Sequence, residues 1–354
     1  MANALGITLP NIGRDNNFNF LRLVFAFSVA VGHAMYAKYN YSLGILFNGH
    51  IAVCGFFIIS GFLITKSYVE SKNIKEYFVK RCRRLLPAYC FVVLLCAFGL
   101  SAFSSLPPGE YFTSPMLWKH IVASLCFLNF LQPALPGVFM QGGGAEKRVS
   151  EINGSLWTIR IEVLFYILVP FVVLALCRLK TRKRINIALG AAYFFGFAYS
   201  QLWVFIASKF ASPFLGGIRE SSGYIAYFAA GIFCMINLDW IRRHQKYIIA
   251  PGVIIVVLEY IFTFNTALEF LLPAGLGVVI MFIAFNFPRL NNVGKNGDYS
   301  YGVYVFHAPL GKIFIDLGYY DLNKDAALLS CIGTVFSIAY MSWHFLEKKA
   351  LRRR

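Results

Sequence analysis

Arg22 and His33 stand eleven positions apart in a stretch that is otherwise almost wholly apolar, Asn17 to Tyr39 (NFNFLRLVFAFSVAVGHAMYAKY). On a helix that spacing is three turns plus about 20°, so a cation and a proton acceptor share one face, about 16 Å apart along the axis. Ionisable groups inside an apolar span are costly and usually face a bundle interior or a wet cavity. The pair fits a lined passage with a base near one end. It fits equally a snorkelling Arg and a His bonded to a neighbouring helix.

Three further stretches carry chemistry-bearing residues. SLWTIRIEVLFYILVPF holds Arg160 and Glu162. Glu162 lies about 10 Å below the outer end of its span and His33 about 8 Å below the outer end of its own, so a carboxylate and an imidazole share one depth. Such a pair is a base with a partner that fixes its tautomer. Arg160 is the alternative partner of Glu162, in a structural ion pair. FVKRCRRLLPAY sets Arg81, Arg84 and Pro87 at three-residue spacing with Arg83 between them. Guanidinium groups on one face suit phosphate, although a positive-inside anchor accounts for them as well. GDYSYGVYVFHAPLG brings Tyr299, Ser300, Tyr301 and His307 into another apolar run, as substrate contacts or as helix–helix hydrogen bonds.

The elements that must position these residues are membrane helices. The chain has 354 residues, 58% hydrophobic and only 14% charged, and apolar runs of spanning length recur from end to end. So many apolar helices would not fit inside one soluble core. Spans are expected at 18–38, 45–66, 85–104, 155–177, 185–207, 223–239, 247–264, 268–287, 299–318 and 326–346. The shorter run 117–131 is expected to be re-entrant or interfacial, because a full crossing there would put the basic loop 178–184 outside. Of the 33 Lys and Arg, 23 lie at Arg14, in the loops 66–84, 178–184, 242–246 and 289–295, and in the tail 348–354. The positive-inside rule then gives ten crossings with both termini cytoplasmic. The expectation is an all-α, polytopic integral membrane protein forming a single domain over 1–354. Its longest outer connection is 132–154, containing QGGGAEKR. In FFIISGFLI, Gly55, Ser60 and Gly61 allow close helix approach.

The net charge of +17 follows from the loop bias and calls for no nucleic-acid partner. The first apolar run is too long for a cleaved signal peptide. Eight cysteines without a CxxC pair point to neither a disulfide framework nor a metal site.

Taken together, the phrases resemble the acyltransferase 3 family of membrane O-acyltransferases, which modify O-antigen, exopolysaccharide and peptidoglycan. The resemblance runs through the whole chain in order: Arg22, ten residues and His33; FFIISGFLI; RCRRLLP; SLWTIRIEVLFY; YSYGVYVFHAP; and SWHFLEK. It implies transfer of an acyl group from cytoplasmic acyl-coenzyme A, acetyl-coenzyme A first among the donors, to a hydroxyl of a cell-surface glycan. The setting is the cytoplasmic (inner) membrane, with no permanently bound cofactor. By this resemblance His33 and Arg22 are the essential pair, Glu162 belongs to the functional set, and Arg81, Arg83 and Arg84 hold the coenzyme A phosphates. Beside what the resemblance implies, Ser60, Arg160, Tyr301 and His307 are further candidate substrate contacts. Some members carry an extracytoplasmic esterase-like domain, which is not expected here. The acceptor is then a lipid-linked precursor, or a separate extracytoplasmic partner completes transfer to the lipopolysaccharide or other polysaccharide. The basic tail is expected either to meet anionic membrane lipid or to fix topology.

Two other classes compete. A transporter or glycolipid flippase also lines a path with charges, often with broken helices in matching halves, and no such internal symmetry is visible. A glycan polymerase or ligase presents a large charged outer loop, whereas the cations here gather on the cytoplasmic side.

Overall fold

A computed structural model describes residues 16–38, 47–141, 148–210, 223–262, 265–295 and 297–352. The central part of the expected outer loop, 142–147, lies outside the described residues. The protein is almost entirely helical. Its elements are α1 (Phe18–Lys38), α2 (Gly49–Glu70), α3 (Ile74–Gly99), α4 (Pro108–Thr113), α5 (Pro115–Leu125), α6 (Leu156–Arg178) and α7 (Arg182–Lys209). They continue with α8 (Ile225–Ile236), α9 (Leu238–Ile261), α10 (Thr266–Asn286), α11 (Ser300–Asp316), α12 (Tyr319–Leu322) and α13 (Lys324–Ser342). A π-turn, Trp343–Glu347, leads into the closing α14 (Lys348–Arg352). Strand pairing among the described residues comprises a two-residue antiparallel pair, Met140 with Val149 and Gln141 with Arg148, and an isolated bridge between Ser104 and Val138.

Each of the ten expected spans falls on a helix. Seven described helices are long and apolar enough to cross a bilayer: 49–70, 74–103, 156–178, 182–206, 238–261, 266–286 and 324–352. The other three are shorter: an apolar stretch of α1 (Phe18–Ala34), the 12 residues of α8 and the 17 of α11. Twelve residues rise only about 18 Å against a hydrocarbon core of about 30 Å. The run 117–131 becomes the 11-residue α5, about 16 Å long, with a 3₁₀ turn at Asn129–Leu131. Ser114 caps α5 and Pro115 takes its first turn, where a missing N–H costs nothing. After it Phe127 adopts φ +60°, and the His120 ring Nδ1–H donates to the Gln132 carbonyl (2.8 Å), so the chain folds back beside α5.

The chain divides into two compact units, 1–25, 50–81 and 161–296, and 26–49, 82–160 and 297–354, with α1, α3 and α6 each beginning in one and ending in the other. In the first unit, α2 and α8 cross backbone to backbone at Gly61 and Gly231. A Cβ on either would fall inside the contact distance of the Phe228 or Ile58 carbonyl oxygen. Rings stack about this crossing, Phe57 on Tyr224 at 4.3 Å and Phe165 on Phe228 at 4.1 Å between centroids. Asn17 closes the end of α10, its Nδ2 donating to the carbonyls of Ile283 (2.7 Å) and Phe287 (3.0 Å), groups that a helix end leaves unpaired.

In the second unit α11 lies against α13, with Gly302 facing Ala339 so closely that a Cβ there would stand 2.9 Å from the Ala339 Cα. The buried Tyr89 hydroxyl donates to the Ser124 carbonyl (2.7 Å), tying α3 to α5. Pro309 lies inside α11 and has no N–H, so the carbonyl four residues back, Val305, loses its helical donor. Asn153 Nδ2 donates to that carbonyl instead (2.9 Å). The segment before α6 is thereby plugged into α11 one turn below the proline.

Candidate active site

In the second unit His33 and His307 meet. His33 Nδ1 lies 2.9 Å from His307 Nε2, with the rings tilted at 36° and 5.1 Å between centroids. His33 is exposed, whereas His307 is 4% exposed. His307 Nδ1–H donates to the Tyr304 carbonyl at 2.7 Å. Around this pair the polar groups are satisfied in sequence. The Thr158 hydroxyl donates to the Ser155 carbonyl (3.1 Å), so the Tyr304 hydroxyl, 2.7 Å from Thr158 Oγ1, is the donor between those two. Ser155 Oγ–H in turn donates to Asn153 Oδ1 (2.6 Å). An accessible imidazole, held at one nitrogen by a buried partner, is the form a general base takes.

The partner expected for His33 was Glu162. The structure gives His33 another imidazole, and Glu162 Oε1 accepts from the Tyr166 hydroxyl at 2.6 Å. The physical reason is reach within the helix: four residues on, Tyr166 stacks directly over Glu162 on one face of α6. The Arg160 guanidinium lies over the Phe130 ring at 4.7 Å. Glu162 and Tyr166 belong to the first unit, where the Arg81 guanidinium lies 5.8 Å from the Tyr166 centroid and donates to Ser67 Oγ (3.1 Å). Arg22, in the same unit, is half-buried on α1 and engaged with neighbouring groups. Ser60 is half-buried on α2 beside the Gly61 crossing.

The three rim arginines differ in kind. Arg84 Nη2 binds Asp298 Oδ2 at 2.6 Å, and Nη1 lies 3.5 Å from Glu347 Oε2. All three side chains are largely buried, at 15%, 11% and 1% exposure. Asp298 Oδ1 accepts from the Ser300 hydroxyl and Glu347 Oε1 from the Ser342 hydroxyl, while the Tyr301 and Trp343 rings flank the guanidinium. Arg84 is thus already engaged by two carboxylates, with which a phosphate would have to compete. Arg84 is the cation of a largely buried ion-pair cluster. Tyr301, whose hydroxyl donates to the Leu85 carbonyl (3.1 Å), is part of the same cluster. Arg83 has no hydrogen-bond or ion-pair partner among the described residues and is half-buried.

Sequence reasoning missed Asp298 and Glu347 as the partners of Arg84. The available signal was a carboxylate within an apolar phrase, which seldom remains unpaired. Asn153 and Thr158 were also missed. Pro309, four residues after Val305, marked the orphaned carbonyl that Asn153 serves.

A family profile described as an acyltransferase domain matches residues 15–343. The chain belongs to the acyltransferase 3 family. Two relatives match this acyltransferase over nearly its full length. A protein of Shigella phage Sf6 named O-acetyl transferase is 28% identical over 357 residues, covering 96% of this chain and 97% of the relative. Nodulation protein 10 of Rhizobium leguminosarum bv. viciae is 27% identical over 373 residues, covering 97% and 95%. No solved structure matches the acyltransferase. Among the described residues no group of three or more His, Cys, Asp or Glu is placed to hold a metal ion.

Proposed function

We propose that this membrane acyltransferase moves a short acyl group, acetyl first among the candidates, from cytoplasmic acyl-coenzyme A to a hydroxyl of a cell-surface glycan or its lipid-linked precursor, in the inner membrane. The observation that carries the reading is the exposed His33 ring, bonded at Nδ1 to the buried His307, in a chain of this family. The name of the phage relative, O-acetyl transferase, supports acetyl as the group.

In the proposed step His33 removes the proton from the acceptor hydroxyl as its oxygen attacks the thioester carbonyl carbon. The C–S bond then breaks, and the departing thiolate takes the proton from the imidazolium. One ester and one free coenzyme A thiol result, with no net proton change. A positioned base of this kind contributes about 10² to 10⁴ in rate. Arg22 is assigned to the thioester oxyanion or the pantetheine arm, and Arg83 and Arg81 to the phosphates, which a guanidinium binds as a fork.

The test uses purified protein in liposomes, with acetyl-labelled coenzyme A on the arginine-rich side and a lipid-linked glycan as acceptor. Wild type is expected to release thiol and pass label to the glycan. His33→Ala, folded by gel filtration, is expected to lose about a hundredfold or more. Full activity in that variant, or no release with acetyl, propionyl and succinyl donors alike, would overturn the proposal.

A further inference from the structure

The hydrogen bonds of the histidine pair run in one direction only, because the chain of contacts ends on a backbone carbonyl. A carbonyl oxygen accepts and never donates, so His307 Nδ1, 2.7 Å from the Tyr304 oxygen, carries a hydrogen. His307 is buried, and among the described residues no carboxylate contacts either ring, so an imidazolium there would be an uncompensated charge. Neutral and protonated at Nδ1, His307 presents a lone pair at Nε2. His33 Nδ1, 2.9 Å away, must then be the N–H donor, and the lone pair of the neutral His33 is left on Nε2.

We propose that His307 is a positioning residue that fixes His33 in the Nδ1–H tautomer, and so makes His33 Nε2 the nitrogen that exchanges the proton with substrate. This rests on His33 being the base of the proposed reaction. His307 is thus not a substrate contact. It performs through an imidazole the task that a carboxylate performs elsewhere, holding the ring in one orientation and accepting from its Nδ1–H when the ring becomes charged. Without a partner at Nδ1, an imidazole generally prefers its hydrogen on Nε2, the form that offers no lone pair there. Pro309 and Asn153 bear on the same point, since the Asn153 amide completes the backbone of α11 at Val305, within one turn of His307.

The experiment has two readouts on the full chain in lipid. Nitrogen-15 spectra of histidine-labelled protein, with the His33 signal assigned by its loss in His33→Asn, are expected to show protonated Nδ1 and unprotonated Nε2 in wild type. They are expected to show the reversed tautomer in His307→Phe. In the acyl-transfer assay His307→Phe is expected to lower kcat about a hundredfold while KM for acyl-coenzyme A changes less than about threefold. His307→Gln, whose amide oxygen can accept from Nδ1–H, is expected to recover kcat to within about tenfold of wild type. A wild-type His33 protonated at Nε2, or equal kcat in the Phe and Gln variants, would overturn the inference. Should His307→Phe fail to fold, the wild-type spectrum and the Gln variant still decide it. Full activity of His33→Ala would overturn the assignment of the base, whereas the tautomer is read without reference to turnover.

Discussion

At the scale of single residues, the difference between Arg83 and Arg84 makes a direct prediction. Arg84→Ala removes the guanidinium that Asp298 and Glu347 share, and breaking a buried pair in this way destabilises by about 3 to 5 kcal/mol. The thermal midpoint in detergent is expected to fall markedly. Arg83→Ala is expected to leave that midpoint unchanged and to raise KM for acyl-coenzyme A several-fold, with kcat spared. A reversed pattern would assign the phosphate to Arg84. His33 was legible because an imidazole in an apolar span stands out against its neighbours. Its partner was not, since His307 lies 274 positions away and only packing brings it to the ring. For the same reason Arg84 read as a phosphate ligand: the carboxylate that neutralises it at closest range is 214 positions distant.

At the scale of elements, the crossings of small residues and the plugged proline hold the frame. Gly61→Val is expected to force α2 and α8 apart at a contact with no room for a Cβ, and to abolish stable expression. Ser60→Ala beside it is expected to be tolerated. Asn153→Ala removes the donor to Val305 and leaves a buried carbonyl unsatisfied, a loss of about 1 to 3 kcal/mol. Asn153→Asp is expected to be no better, because a carboxylate accepts and the site needs a donor. The positions of the seven long apolar helices were legible, since apolar runs of spanning length mark them. The caps at Ser114 and Asn323, whose side chains accept from the Met116 and Ala326 N–H groups, start those helices two or three residues before the apolar runs do. The shortness of α8 and the π-turn at Trp343–Glu347 were not legible. Composition there is as apolar as in any longer span, and a wider helical turn leaves no mark on hydropathy.

At the scale of the whole molecule, a net charge of +17 on a chain with few other charges makes topology an electrostatic property. In a cysteine-free background, Lys180→Cys is expected to react with an impermeant maleimide only from the cytoplasmic side, and Glu110→Cys only from the opposite side. Labelling of both from one face would remove the orientation on which cytoplasmic acyl-coenzyme A depends.

The Asn153–Val305 bond also bears on how the chain is made. Synthesis runs from the N-terminus, so Asn153 has left the ribosome 152 residues before the carbonyl it serves. On release, α11 carries an exposed carbonyl that lipid cannot solvate. The amide that will quench it has already been delivered, anchored at the head of an earlier helix. Capture of α11 thus becomes a late, templated step of membrane assembly, in which a loop made early acts as the receptor for a helix made late.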